Sequence, residues 1–170
     1  MLIRPERESE FDQIYNLVKT AFATAPVKDG NEQEFVNTLR NSDRYIPELA
    51  LVVEQDAQLI GHMMLTKLLI QGDFQSFESL LLAPIAIVLE HRNKKIGAML
   101  IEESFKRAQA MGYASVFVVG DPKYYHRFGF RSALEFGIDN VEAIEHQYVM
   151  AHALSPNGLE GKAGKVKLIP

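Results

Sequence analysis

Between Ser79 and Val119 the hydrophobic pattern changes period twice, and that change restricts the fold more than any other feature of the chain. The run SFESLLLAPIAIV ends almost continuously apolar, as a strand covered on both faces requires. From Lys95 to Met111 the spacing becomes three and four residues, through Ala98, Ile101, Phe105, Ala108 and Met111, and Gly112 suits a helix C-terminus. SVFVV, residues 115–119, then reads as a short buried strand. Strand, helix and strand in this order predict a βαβ unit with a right-handed crossover and parallel or nearly parallel strands.

Where the first strand meets the helix stands HRNKKIGA, residues 91–98. A helix N-terminus carries about half a positive charge, so Arg92, Lys94 and Lys95 each cost about 0.3–1 kcal/mol there if exposed. A bound phosphate or pyrophosphate would reverse that conflict. Free amides of the first helical turn donate to it, Gly97 permits close backbone approach, and the cations add attraction. On charge alone, a solvated basic turn is an equal competitor. The segment does not fit GxxxxGK[ST], and it has one glycine where GxGxxG needs three, so neither nucleotide loop is supported.

Length and composition set the remaining bounds. At 170 residues and 47% hydrophobic content, residues 1–170 suit a single domain with a substantial core. A net charge of -4 argues against a surface built for nucleic acid, and the basic loop lacks interleaved aromatics. The absence of cysteine removes disulfides, thiolate metal sites and a cysteine nucleophile. No stretch resembles a signal peptide and none approaches roughly 18 consecutive apolar residues, so a cytoplasmic protein without a membrane partner is expected.

Elsewhere, LIRPERESEFDQIYNLVKTAF opens with a short strand and then shifts to helical spacing, with Phe11, Ile14, Tyr15, Val18 and Phe22 on one face and Ser9 near the helix start as cap. After the polar break ATAPVKDGN, EQEFVNTLR predicts a second short helix. Two strands joined by a turn at Gln55, Asp56 and Ala57 follow. GDPKYYHRFGFR gives a turn at Gly120–Pro122, a helical turn through Tyr124–Phe128, and release at Gly129. QYVMAHAL is strand-like, and residues 155–170 form a Gly-rich tail expected to be poorly ordered unless it pairs with the sheet. A homodimer through the C-terminal strand is left open.

The run APIAIVLEHRNKKIGAMLIEESFKRA resembles the acyl-CoA-binding motif of the GNAT superfamily of N-acetyltransferases, [QR]xxGx[GA], here Arg92-Asn93-Lys94-Lys95-Ile96-Gly97. Lys95 departs from the family's usual glycine. The resemblance still implies use of its backbone N–H, with the side chain turned away from the pyrophosphate or in contact with it. About thirty residues on, GDPKYYHRFGFR resembles the family's segment ending Tyr-x-x-x-Gly-Phe, and more narrowly its YhbS-like branch. The resemblance implies an α/β fold of the GNAT acyl-CoA N-acyltransferase type. Its sheet is mixed, mostly antiparallel and twisted, with central strands splayed near Ile85 and Val118 and with flanking helices.

It also implies acetyl-CoA as cosubstrate, with no metal. The arm of the coenzyme would be bound around Ile85, Ala86 and Ile87, and its pyrophosphate by amides of Arg92, Asn93, Lys94, Lys95, Ile96, Gly97 and Ala98. Tyr125 takes the family's general-acid position, and its competitor is a packing tyrosine. Glu32 matches an acidic position near the acceptor, as base or substrate contact. For Glu32, as for Glu78, a solvated surface carboxylate competes. Asp121 is weighed between a coenzyme contact and a cap, and Phe128 between a coenzyme neighbour and core. The function implied is direct acetyl transfer to a primary amine of a small molecule or protein. The alternative is a non-catalytic acyl-CoA-binding sensor or interaction module, which Lys95 supports and Tyr125 opposes.

Overall fold

The computed structural model describes residues 1–25 and 28–170, so the middle of the break ATAPVKDGN lies outside the described residues. Its strands are β1 (Leu2–Pro5), β2 (Ala50–Gln55), β3 (Gln58–Gln71), β4 (Ser76–Ile87), β5 (Ser115–Val119), β6 (Arg131–Ser132), β7 (Ile138–Asn140), β8 (Val149–Ala153) and β9 (Gly164–Val166). The helices are α1 (Phe11–Ala23), α2 (Glu32–Arg40), α3 (Ile96–Ala110) and α4 (Pro122–Tyr125). The chain gathers into two compact units, Met1–Thr66 with Ala83–Arg107, and Lys67–Leu82 with Ala108–Pro170.

In the first unit β1, β2 and β3 pair antiparallel in that order, with Ile3 opposite Val53 and Ala50 opposite Met64. The turn falls at the expected place, with Asp56 and Ala57 both at positive φ between the paired Gln55 and Gln58. That is the conformation a two-residue hairpin loop demands. Ile14, Leu17, Val18 and Ala21 of α1 join Val36 and Leu39 of α2 over Ala50, Val52, Leu59, Met64 and Ala86. Leu51 and Val53, on the alternate positions of β2, are equally enclosed, so this strand is covered on both faces.

The start of α1 differs from expectation. Ser9 does not cap it. A 3-10 turn at Glu8–Glu10 precedes the helix, and Glu10 closes that turn by accepting the Arg7 amide at 2.9 Å. The Glu10 carboxylate also takes Arg4 at 2.6 and 3.0 Å. Glu10 stands at the N-cap position of α1 but makes no side-chain cap bond to that helix.

The second unit carries the other ends of β3 and β4. Leu81 and Leu82 of β4 run parallel to Phe117 and Val118 of β5, the strand pair expected from the βαβ pattern. β8 lies between β5 and β6, antiparallel to both, so it is an interior strand. The Gly-rich tail supplies β9, which pairs antiparallel with Ile70–Gln71 and parallel with β7.

Candidate active site

The residues singled out from the sequence divide between the units. Ile85–Ile87, Arg92–Ala98 and Glu32 fall in the first, and Asp121, Tyr125 and Phe128 in the second.

At the end of β4 the Val88 amide donates to Ile60 of β3 at 2.9 Å. Backbone groups alternate along a strand, so those of Ile85 and Ile87 face the other edge. Pro84 just before them contributes no N–H. After a 3-10 turn at Leu89–His91 the chain enters the basic loop, where Asn93 and Lys95 both take left-handed conformations, φ 62 and φ 63. The Met99 amide donates to the Lys95 carbonyl at 3.1 Å, which is the first hydrogen bond of α3. The amides of Ile96, Gly97 and Ala98 therefore have no helical acceptor. Alternating backbone hands followed by free amides make an anion-binding concavity. The family's usual glycine at the position of Lys95 has a physical reason, because the backbone there is left-handed. Asn93, Lys94 and Lys95 are exposed, so the lysine ammonium groups are free to move toward an anion or away from it.

Arg92 departs from the sequence reading. Its guanidinium does not join a cationic patch. Nε donates to the Ile87 carbonyl at 3.1 Å, Nη1 to Thr24 Oγ1 at 3.0 Å, and Nη2 to the Ala21 carbonyl. The last turn of a helix has carbonyls without helical donors and a partial negative charge, so a half-buried cation is well placed there. Of the three cations in the loop, only the lysines are left for an external anion. The Ile87 carbonyl, in the stretch expected to bind the coenzyme arm, accepts from Arg92.

Glu32 opens α2. Its Oε2 accepts the Asp29 amide at 2.6 Å, whereas Oε1 is buried and has no hydrogen-bond partner among the described residues. Glu32 is thus half cap and half unsatisfied acceptor. Glu78 is exposed on β4.

In the second unit Asp121 caps α4, its Oδ1 accepting the Lys123 amide at 2.9 Å. α4 continues as a 3-10 turn, His126–Phe128, which Gly129 ends at φ 90. A side chain on Gly129 would also strike His152, whose ring lies 2.6 Å from where a Cβ would sit. Tyr125 is 9% exposed, packed edge-on to Tyr124 at 5.0 Å and to Phe130 at 5.7 Å between centroids. Its hydroxyl has no hydrogen-bond partner among the described residues. Burial, then the neighbouring Tyr124, pushes its pKa above the ordinary value of 10, so it remains a proton donor at neutral pH and well above. Gly120 provides its seat, since an added Cβ would lie 2.5 Å from Tyr125 Cε2. The sequence reading took Gly120 for a turn residue only. Phe128 packs on the Tyr124 ring at 5.4 Å, and Arg127 lies over the same ring at 4.9 Å.

Among the described residues no group of three or more His, Cys, Asp or Glu side chains is placed to hold a metal ion, and no helix is long and apolar enough to cross a membrane.

A strand, basic loop and helix, with a tyrosine on a short helical turn later in the chain, is the arrangement expected of an acyl-CoA-dependent transferase, and comparison with known proteins gives the family. Residues 2–133 match the acetyltransferase (GNAT) domain family, and the chain belongs to it. It is 26% identical over 167 residues, 98% of this chain and 95% of the relative, to the uncharacterized N-acetyltransferase YhbS of Escherichia coli K12. It is 30% identical over 99 residues, 58% of this chain and 55% of the relative, to the uncharacterized N-acetyltransferase YjhQ of the same strain. The crystal structure of Escherichia coli YhbS in complex with CoA matches with a TM-score of 0.88 at 27% identity, over 98% of this chain and 88% of that one. A GNAT family acetyltransferase from Brucella melitensis in complex with acetyl-CoA matches at 0.78 and 26% identity, over 98% and 94%. The fold is the GNAT fold, a mixed, mostly antiparallel sheet with flanking helices.

Proposed function

We propose that this GNAT acetyltransferase takes acetyl-CoA as its acyl donor and transfers acetyl directly to a primary amine of a small molecule or protein. The observation that carries the donor is the stretch from Asn93 to Ala98, with two left-handed residues followed by three amides free of helical acceptors. The crystallised relatives from Escherichia coli and Brucella melitensis, complexed with CoA and acetyl-CoA, support it.

The chemistry needs a neutral amine, stabilisation of a tetrahedral oxyanion and a proton for the departing sulfur. The amides of Ile96, Gly97 and Ala98 hold the pyrophosphate, with Lys94 and Lys95 adding charge. The backbone of Ile85 and the Ile87 amide hold the arm. As the amine nitrogen attacks the thioester carbon, an N–C bond forms and the C–S bond breaks. Glu32 Oε1 accepts the proton lost by the amine, directly or through water, and Tyr125 gives its phenolic proton to the sulfur. Solvent then resets both groups. A buried carboxylate oxygen without a donor among the described residues and a phenol whose ring is buried and whose pKa is raised suit these opposite tasks.

Calorimetric titration with acetyl-CoA, beside dephospho-CoA, tests the donor. Saturable micromolar binding supports it. No binding at millimolar acetyl-CoA overturns it.

A further inference from the structure

Gly61 is the only glycine of β3, and it is buried in the middle of a strand where glycine packs nothing and weakens the ladder. Its φ is not positive, so neither a turn nor a left-handed bulge position accounts for it. What accounts for it is the occupant of the space beside it. A Cβ there would lie 2.9 Å from Ile87 Cδ1, 3.3 Å from Val53 Cγ2 and 3.4 Å from the Ala86 carbonyl oxygen. The Ile87 side chain thus fills the notch that Gly61 leaves. Just before Gly61 the pairing with β2 slips, since Val53 stands opposite Gly61 but Glu54 opposite Leu59, and Ile60 is left as an extra residue on β3. The Ile60 carbonyl takes the Val88 amide at 2.9 Å. The bulge and the glycine after it therefore grip consecutive residues of β4, Val88 by its backbone and Ile87 by its side chain. All of these residues belong to the first unit.

We infer that Gly61 is a positioning residue for the arm of the coenzyme, setting through Ile87 the end of β4 on which that arm is held. Bulges bend a strand and re-aim what it carries, and here the bend is matched by a notch that seats the neighbouring strand. With Ile87 and Val88 fixed on the β3 side, the backbone of Ile85 and the Ile87 amide are held toward the opposite edge. A side chain at position 61 must push the Ile87 δ-methyl out of the notch or part β4 from β3 at the Ala86 carbonyl. Ile87 is stiff at χ1, so the push is passed to its backbone. The nucleotide end of the coenzyme, on the amides of residues 96–98, lies beyond this disturbance. The inference deepens the acetyl-CoA reading and rests on it, and its test separates the two.

Calorimetric affinity for CoA is measured in the full chain for the wild type, Gly61→Ala, Ile87→Val and the double variant, and affinity for ADP, which carries the pyrophosphate without the arm, is measured by competition. Gly61→Ala should weaken CoA by about tenfold, the worth of one or two backbone hydrogen bonds, and ADP by less than about threefold. Ile87→Val removes the methyl group that stands in the notch, so the double variant conserves volume and should recover CoA affinity to within about threefold of the wild type. Should Gly61→Ala fail to fold, a folded double variant that binds CoA supports the inference, and one that also fails overturns it. CoA bound equally well by the wild type and Gly61→Ala would mean that rotation about χ2 of Ile87 absorbs the methyl, and overturns the inference. So does ADP weakened as much as CoA, or a double variant no better than Gly61→Ala. Each of these leaves the donor assignment standing. A wild type that does not bind CoA overturns both.

Discussion

Glu6 and Arg40 face one another in a two-pronged ion pair, Nε to Oε2 and Nη2 to Oε1, each at 2.8 Å, with the carboxylate wholly enclosed. Tyr45 donates to the same carboxylate at 2.8 Å, and His62 Nε2 lies 2.8 Å from Oε1. An ionised carboxylate only accepts, so His62 carries its proton on Nε2 and presents a buried, unpartnered Nδ1. Arg40 also stacks over Phe11 at 4.0 Å. This cluster joins the chain after β1 to the end of α2 and to β3.

Removing one partner strands the other in a dry interior. Arg40→Met should therefore destabilise the protein by about 3–5 kcal/mol, and Glu6→Gln by a comparable amount, read from urea midpoints at neutral pH. Burial alone would raise the Glu6 pKa, but the hydrogen bonds from Arg40 and His62 and their charges outweigh it and bring it from 4.5 down to about 2. A pKa lower in the folded state means that the contribution is complete above about 4.5 and is lost as pH falls toward 2. It is on the order of 3 kcal/mol. Glu6→Gln should flatten the loss of stability across that window. An unchanged acid limb would show that other carboxylates govern it.

Lys95 occupies a left-handed conformation at a cost of about 1–2 kcal/mol, part of which a glycine returns through the greater freedom of the unfolded chain. Lys95→Gly should leave a net gain of about 0.5–1 kcal/mol, a rise in Tm of a few degrees. CoA affinity should stay within about threefold, because a surface cation is worth little. Lys95→Ala keeps the strain and should bring no gain. A tenfold loss of affinity in both variants would make the ammonium a direct ligand.

Tyr125→Phe should lower turnover by about 100-fold or more while CoA still binds, the usual weight of a general acid. Since burial raises this phenol's pKa, its deprotonation should produce no fall in rate between pH 7 and about 10. A descending limb within that range that vanishes in Tyr125→Phe would contradict the environment described for it.

Gly120→Ala places a methyl group 2.5 Å from Tyr125 Cε2. The ring must shift, so turnover should fall by about 10-fold or more with CoA binding retained, on the scale that small misplacements of catalytic groups cost. Near-ultraviolet circular dichroism checks the movement independently. Full activity with an unchanged aromatic spectrum would show that Tyr125 has room to yield.

The sequence exposed what repeats locally. Period changes located β4, α3 and β5, apolar spacing located α1, and GDPKYYHRFGFR marked the turn that carries Tyr125. Pairings over long separations were hidden. Arg92 could be read as a member of a basic run, but its acceptors on Ala21 and Thr24 belong to a helix far back in the chain. The Glu6 cluster was invisible for the same reason, since no local pattern joins residues 6, 40, 45 and 62. Ser9 looked like a cap because hydroxyls favour that place, but it lies inside a 3-10 turn that Glu10 closes by accepting the Arg7 amide while also taking Arg4. Residues 131–146 form short strands and 3-10 turns, too brief for any hydrophobic period to show.

The pairing of β9 with both β3 and β7 also has a meaning in time. β9 is translated after every other strand of the sheet, so Ile70 and Gln71 must wait on the order of ten seconds of synthesis for their partner. During that wait an open strand edge invites pairing with other nascent chains. Yield in cells should therefore respond to translation speed between codons 72 and 164, and slow codons there should favour aggregation even though the finished protein is identical.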